Sequence, residues 1–194
     1  MNEDRPLRAD ARRNRDALLA AAAQAFAAEG PEATLEAIAA AAGVGIGTLY
    51  RHFPTREALV EAAYRNELAR LCDSAEELLA TLPAAQAVRE WMERFVDYAV
   101  TKRGMSDALR ALIAAGGNPF AQSRDLMLKA LQTLLDAGTA AGTVRPDVAP
   151  ADLLATLGGV SMVAGDEAGR EQARRVLDLV MDGMRYGAES SASG

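Results

Sequence analysis

The sequence predicts an all-α fold of about nine helices: an N-terminal three-helix unit containing a helix-turn-helix, followed by a larger helical half. Three observations carry this expectation. Alanine is abundant and aromatic residues make up only 5% of the chain, which favours closely packed helices over sheet. Apolar residues return at helical spacing from Leu18 to Met184, and no run alternates as a strand would. Glycine and proline fall between those runs, at Gly43, Pro54, Pro83, Gly116, Gly117 and Pro119.

Residues 1–9, with Pro6 among alternating charges, read as disordered. A first helix follows over residues 10–29, with Leu18, Ala22, Ala25 and Phe26 on one face. Thr34 is placed to cap a short second helix through Leu35, Ile38 and Ala39, because its hydroxyl can accept from amides of the first turn. Gly43 supplies the permissive backbone for a sharp turn, and a third helix runs over residues 45–52 with Val44, Leu49 and Phe53 inward. Pro54 disfavours helical geometry at Phe53, so the third helix stops near His52 and a fourth starts at Thr55.

The fourth helix reaches about Leu79, turning Leu59, Ala63, Leu68, Leu71 and Leu78 inward. The next covers residues 84–103 and buries Val88, Met92, Phe95, Val96 and Ala99. A sixth begins at Ser106 and is closed by Gly116 and Gly117. Asn118 then acts as a cap with Pro119 at the first helical position, opening a helix over residues 119–141. Two more span residues 150–165 and 169–187. The expected domains are residues 1–59 and 60–189, with 190–194 a frayed tail.

Net charge is −6, yet it is unevenly placed. Residues 1–60 hold seven arginines against eight acids, and five of those arginines lie in the first fifteen residues, where they can track phosphates. The single Cys72 excludes an internal disulfide and fits a reducing cytoplasm. With one cysteine and one histidine no His/Cys metal centre can form, and no cofactor is implied. No apolar run spans a membrane and no apolar signal segment follows the charged N-terminus, so a cytoplasmic protein is expected. Carboxylates are scattered over solvated faces without a nucleophile and base in reach of each other, so no catalytic residue is assigned.

The stretch from Ala42 to Leu59 carries the function. A helix-turn-helix needs a short helix, a tight turn and a second helix small or polar enough on its outer face to enter the major groove. The outward set of the second helix offers bare backbone, a hydroxyl, and cationic or aromatic tips. The expected DNA-binding residues are Thr34, Gly45, Ile46, Gly47, Thr48, Tyr50, Arg51, His52 and Arg56. Tyr50 and His52 suit phosphates, Ile46 suits a thymine methyl, and Arg51 suits either a phosphate or guanine O6 and N7. Arg56 lies in the first turn of the fourth helix, where free amides welcome a phosphate. The glycines at 43, 45 and 47 do not form a dinucleotide loop, since their spacing is wrong and a helix precedes them.

From about Arg12 to Leu59 the chain resembles the DNA-binding domain of TetR-family transcriptional regulators. The resemblance rests on Phe26 and Gly30 at the end of the first helix, on Thr34, and on Gly43, Gly47, Thr48, Leu49, Tyr50, His52 and Phe53. Gly45 and Ile46 depart from the polar pair common there. The segment from Ala140 to Asp147 is similar to the loop that often precedes the dimerising helices of that family.

The resemblance implies a homodimeric repressor that binds a palindromic double-stranded operator and is released by a small-molecule effector. For that effector, Trp91, Met92, Phe95, Tyr98, Met105, Leu112, Ile113, Phe120, Met127 and Met162 are the expected pocket, which points to a largely apolar or aromatic ligand. Ala155, Gly158 and Gly159, with Ala173, Val176, Leu177, Val180, Met181 and Met184, are the expected dimer interface, because glycines within a helix permit a close crossing and the last stripe is wide. Two rivals remain. A ligand-independent regulator controlled by abundance or a protein partner would have a filled core, and a helical enzyme would need polar groups converging in a cavity.

Overall fold

The computed structural model describes residues 4–186, which hold nine α-helices, one short 3₁₀ turn and no strand. They are α1 (Asp4–Glu29), the 3₁₀ turn (Gly30–Glu32), α2 (Leu35–Ala41), α3 (Ile46–His52), α4 (Arg56–Thr81), α5 (Ala84–Gly104), α6 (Ser106–Ala114), α7 (Ser123–Ala140), α8 (Pro150–Ser161) and α9 (Glu167–Arg185). The chain divides into two compact units. The first comprises the residues up to Glu67 together with Thr101–Pro119, and the second comprises Leu68–Val100 with the residues from Phe120 onward. This differs from the expected division after residue 59: the first turns of α4, the end of α5 and all of α6 belong with the helix-turn-helix. Both α4 and α5 run from one unit into the other.

In the first unit α1 packs on α2 and α3, and α2 on α3. Its buried side chains include Leu18, Ala22 and Phe26 of α1, Ile38 and Ala39 of α2, Leu49 of α3, and Leu59, Ala63 and Tyr64 of α4. Helix α1 starts six residues before the expected position. Pro6 is tolerated because first-turn amides have no helical partner to lose. Thr34 caps α2 as expected, its Oγ1 accepting from the Ala37 amide at 3.2 Å. Gly43 (φ +69°) then ends α2 in a left-handed turn, with its amide donating to the Ala40 carbonyl and the Val44 amide to that of Ala39. After Phe53 the Thr55 Oγ1 accepts from the Ala58 amide at 3.1 Å, which starts α4.

In the second unit α8 packs on both α7 and α9. The core takes Leu71 and Leu78 from α4, Val88, Trp91, Met92 and Phe95 from α5, Leu131, Leu134 and Leu135 from α7, Leu153 and Leu157 from α8, and Leu177 and Met181 from α9. Helix α7 begins four residues later than expected. Asn118 and Pro119 do not open it, because the chain turns at residues 119–122 with Gln122 left-handed (φ 64°), and Ser123 is the first helical residue. Helix α8 ends at Ser161 instead of near 165, and Asp166 caps α9 by accepting from the Gly169 amide at 2.8 Å. Gly138 gives the loop after α7 its seat, since a Cβ there would lie 2.6 Å from Cγ2 of the buried Val144. The Arg145 amide donates to the Met184 carbonyl at 2.9 Å, tying that loop to the end of α9. The expected tail, 190–194, lies outside the described residues, as do residues 1–3 of the expected arm.

Candidate functional site

Helix α3 is seven residues long, and its sequence separates an inner from an outer face. Leu49 is fully buried and Phe53, at its C-terminal end, is nearly so, whereas Ile46 and Tyr50 are 36% and 46% exposed. Gly45 is the extended residue before the helix, and neither Gly45 nor Gly47 has an atom within 4 Å of where a Cβ would stand. The outer face at the start of α3 is therefore open backbone. One turn further on, Arg51 donates to the Thr48 Oγ1 at 2.9 Å, which holds both side chains along the same face. His52 is half-buried, its ring centroid 6.1 Å from that of Phe53. Arg15 of α1 lays its guanidinium over the Phe53 ring at 5.7 Å, so the end of α3 is gripped from the supporting helix.

Two further arginines of α1 are exposed: Arg13 pairs with Asp10, and Arg12 lies 4.0 Å from Asp16. Such pairs are weak enough for phosphates to displace. The Thr34 Oγ1 accepts from the Ala37 amide as the α2 cap, and its O–H can still donate to a phosphate. Arg56 points inward: its guanidinium donates to the carbonyls of Ala33 at 2.5 Å and Pro31 at 2.9 Å, and stands 5.3 Å from the centroid of the Phe26 ring. In the structure its guanidinium is thus engaged internally, with two backbone acceptors and an aromatic face within its reach.

The residues of the expected effector lining differ in burial. Trp91, Met92, Phe95, Tyr98 and Met105 are buried core, Leu112, Phe120 and Met127 are half-buried, and Ile113 and Met162 are exposed. Met105, Leu112 and Ile113 belong to the first unit and the other seven to the second. Trp91 spends its one donor on the Leu71 carbonyl at 2.9 Å, and its ring is followed by those of Phe95 and Tyr98 at successive centroid distances of 6.0 Å. A half-open groove of about 350 Å³ lies elsewhere, between α4 and α7. It is lined by Cys72, Asp73, Ala75, Glu76 and Glu77 on one side and Leu126, Lys129, Ala130 and Thr133 on the other, so none of the ten expected residues contributes. Burial first, and then the charge of Asp73, push the Cys72 thiol up to about 11, which leaves it protonated and unreactive at neutral pH. Among the described residues no cluster of side chains suits a metal ion, and no helix is long and apolar enough to cross a membrane.

The expected dimer stripe divides in two. Val176 and Val180 are half-buried, whereas Ala173, Leu177, Met181 and Met184 face the subunit's own core and are corrected to internal packing. The opposite face of α9 carries Leu179 at 70% exposure, Gly183, and Tyr186 just past the helix at 84%, while α8 and the turn after it expose Ala155, Gly159, Met162 at 78% and Val163. No atom lies within 4 Å of a Cβ built at Gly158, Gly159 or Gly183. Leu179, Gly183 and Tyr186 were legible as a second stripe at intervals of four and three, but the inward stripe beside them is the more apolar.

A helix-turn-helix seated on a supporting helix, together with a second all-helical unit, defines a DNA-binding transcriptional regulator. The chain belongs to the TetR family: residues 18–63 match the bacterial regulatory proteins of that family, and residues 83–186 match the C-terminal domain of SbtR-like transcriptional regulators. The crystal structure of a TetR transcriptional regulator from Streptomyces coelicolor is 57% identical, covering 88% of this chain and 98% of the other, with a TM-score of 0.85. That of a TetR transcription regulatory protein from Mycobacterium vanbaalenii is 37% identical over 93% and 99%, with a TM-score of 0.75. A transcriptional regulator from Rhodococcus sp. is 25% identical over 90% and 97%, with a TM-score of 0.59. The family and these neighbours are regulators of transcription, not enzymes.

Proposed function

We propose that this regulator is a homodimeric repressor that binds a palindromic operator and is released from it by a small molecule. The observation that carries the dimer is the face formed by Ala155, Gly159, Met162, Leu179, Gly183 and Tyr186. Large apolar side chains as open to water as Leu179 and Met162 mark an interaction surface, and the open glycines beside them permit close backbone approach. A two-fold axis through such a face makes it self-complementary, each contact between two different residues occurring twice, which is how homodimers close. Each subunit then presents α3 to one half-site, with half-site centres about 34–36 Å apart on one side of the duplex.

Release follows from linkage: an effector that binds better to the conformation with misplaced recognition helices must weaken operator affinity by the same factor. Because α4 and α5 run through both units, they are the covalent route for such a change. The buried Trp91, Phe95 and Tyr98 favour a second reading, in which a filled core needs no effector and the regulator answers to abundance or to a protein partner.

Selection of duplexes from a random pool by the purified chain, followed by footprinting on the winner, tests the DNA half. An inverted repeat is expected, and its absence overturns the palindromic operator. Compounds that raise the melting temperature are then titrated with and without that duplex. Equal affinity in both conditions overturns release by effector and leaves the ligand-independent reading.

A further inference from the structure

Arg56 stands where the two ends of the helix-turn-helix meet. The chain enters the motif through residues 31–33 and leaves it at Phe53, and Arg56 is the first residue of α4, three positions later. Its guanidinium donates to the carbonyls of Pro31 and Ala33 on the entering side and lies over the ring of Phe26, the buried aromatic near the end of α1. One side chain thus joins α4 to the segment that fixes where α2 begins, and α2 is the helix on which α3 packs.

We propose that Arg56 is a positioning residue of the DNA reader: it closes the helix-turn-helix into one body, and so fixes the orientation of α3, instead of contacting a phosphate. The inference rests on the DNA-binding reading above. Arginine suits the task because its planar fork serves two carbonyls at once while its flat face stacks on an aromatic ring, whereas a lysine ammonium is a compact charge without that fork. The consequence for binding is selective. Base readout depends on where α3 sits, while sequence-independent binding depends on charge, so loss of Arg56 lowers specificity ahead of general affinity.

The test uses the full chain, the duplex enriched from the random pool, and a scrambled duplex of the same length, each titrated over a salt series. The variants are Arg56→Gln and Arg56→Lys, both checked by circular dichroism to be folded at the assay temperature. We expect both to bind the enriched duplex about tenfold or more weakly, with little change on the scrambled one and with the slope of log K against log salt unchanged. A global loss of stability does not move that ratio in a protein that is still folded. A phosphate contact predicts the reverse. Arg56→Gln then weakens both duplexes alike, the slope falls by about 0.9 for each phosphate that is no longer neutralised, and Arg56→Lys restores wild-type behaviour. That pattern, or unchanged binding in both variants, overturns the proposal. If Arg56→Gln does not fold, Arg56→Lys keeps the charge and decides through the specificity ratio alone. A wild-type chain that enriches no sequence brings down the DNA-binding reading and this proposal together, whereas wild-type binding retained by Arg56→Lys brings down only the latter.

Discussion

Gly104 meets the backbone of Phe26 so closely that a Cβ on the glycine would fall 1.8 Å from the phenylalanine carbonyl oxygen. The last residue of α5 therefore packs backbone to backbone on the end of α1, inside the DNA-binding unit. Because the obstacle is backbone, no rotamer change relieves it. Gly104→Ala is expected to destabilise the fold by about 1–3 kcal/mol or more, as overpacking does elsewhere. Urea unfolding measures this, and a variant as stable as wild type contradicts the close approach.

Gly47 gives the opposite sign. It lies inside α3 on the open face, with no atom near a would-be Cβ. Alanine there is expected to raise stability by about 0.5–1 kcal/mol through helix propensity while weakening operator binding, because the added methyl stands between backbone and DNA. Thermal unfolding and a band-shift titration on the enriched duplex read the two effects separately. Tighter binding by Gly47→Ala speaks against α3 as the reading helix.

Leu177 and Leu179 separate the core from the proposed interface on one helix. Leu177 is buried and Leu179 is 70% exposed. Leu177→Ala is expected to cost about 2–5 kcal/mol of stability. Leu179→Asp is expected to leave the subunit folded but shift it from dimer to monomer in size-exclusion chromatography with light scattering. A Leu179→Asp chain that stays dimeric moves the interface to another face.

The ion pairs between α5 and α9 predict a pH dependence. Glu93 accepts from Arg174 at 2.7 Å and Arg89 at 3.1 Å, and Arg89 also reaches Asp178 at 2.8 Å. The Arg174 hydrogen bond chiefly, with the charge of Arg89 behind it, holds the Glu93 carboxyl below its usual range. A carboxyl lowered in the folded state stabilises it above the ordinary glutamate value of about 4.3, and that contribution is lost as pH falls through the lowered value. The melting-temperature gap between wild type and Glu93→Gln is therefore expected to shrink on acidification and close only below that ordinary value. Asp97, raised mainly by burial, trends the other way, so the difference between the two proteins is the measurement. A gap that widens in acid contradicts the assignment.

Much of this molecule is written locally. The spacing of Leu18, Ala22 and Phe26, the cap at Thr34, the left-handed turn at Gly43 and the stop at Pro54 place the helix-turn-helix from neighbouring residues alone, because each acts through backbone geometry within one or two turns. The start of α7 was less legible. An Asn-Pro pair suits a cap, but the turn through Gln122 and the burial of Pro119 overrode it.

The order and type of the elements, and the open outer face of α3, thus follow from the chain read segment by segment. The longer-range choices were settled by packing. Helix α9 carries two apolar stripes at helical spacing, and its seat against α8 determines that Leu177 and Met181 go inside while Leu179 and Tyr186 stay out. Arg56 has the charge of a phosphate contact, and the arrival of Phe26, Pro31 and Ala33 beside it turns it inward. Both cases have one cause: periodicity is a property of one segment, whereas burial and hydrogen-bond partners belong to segments far apart in the chain.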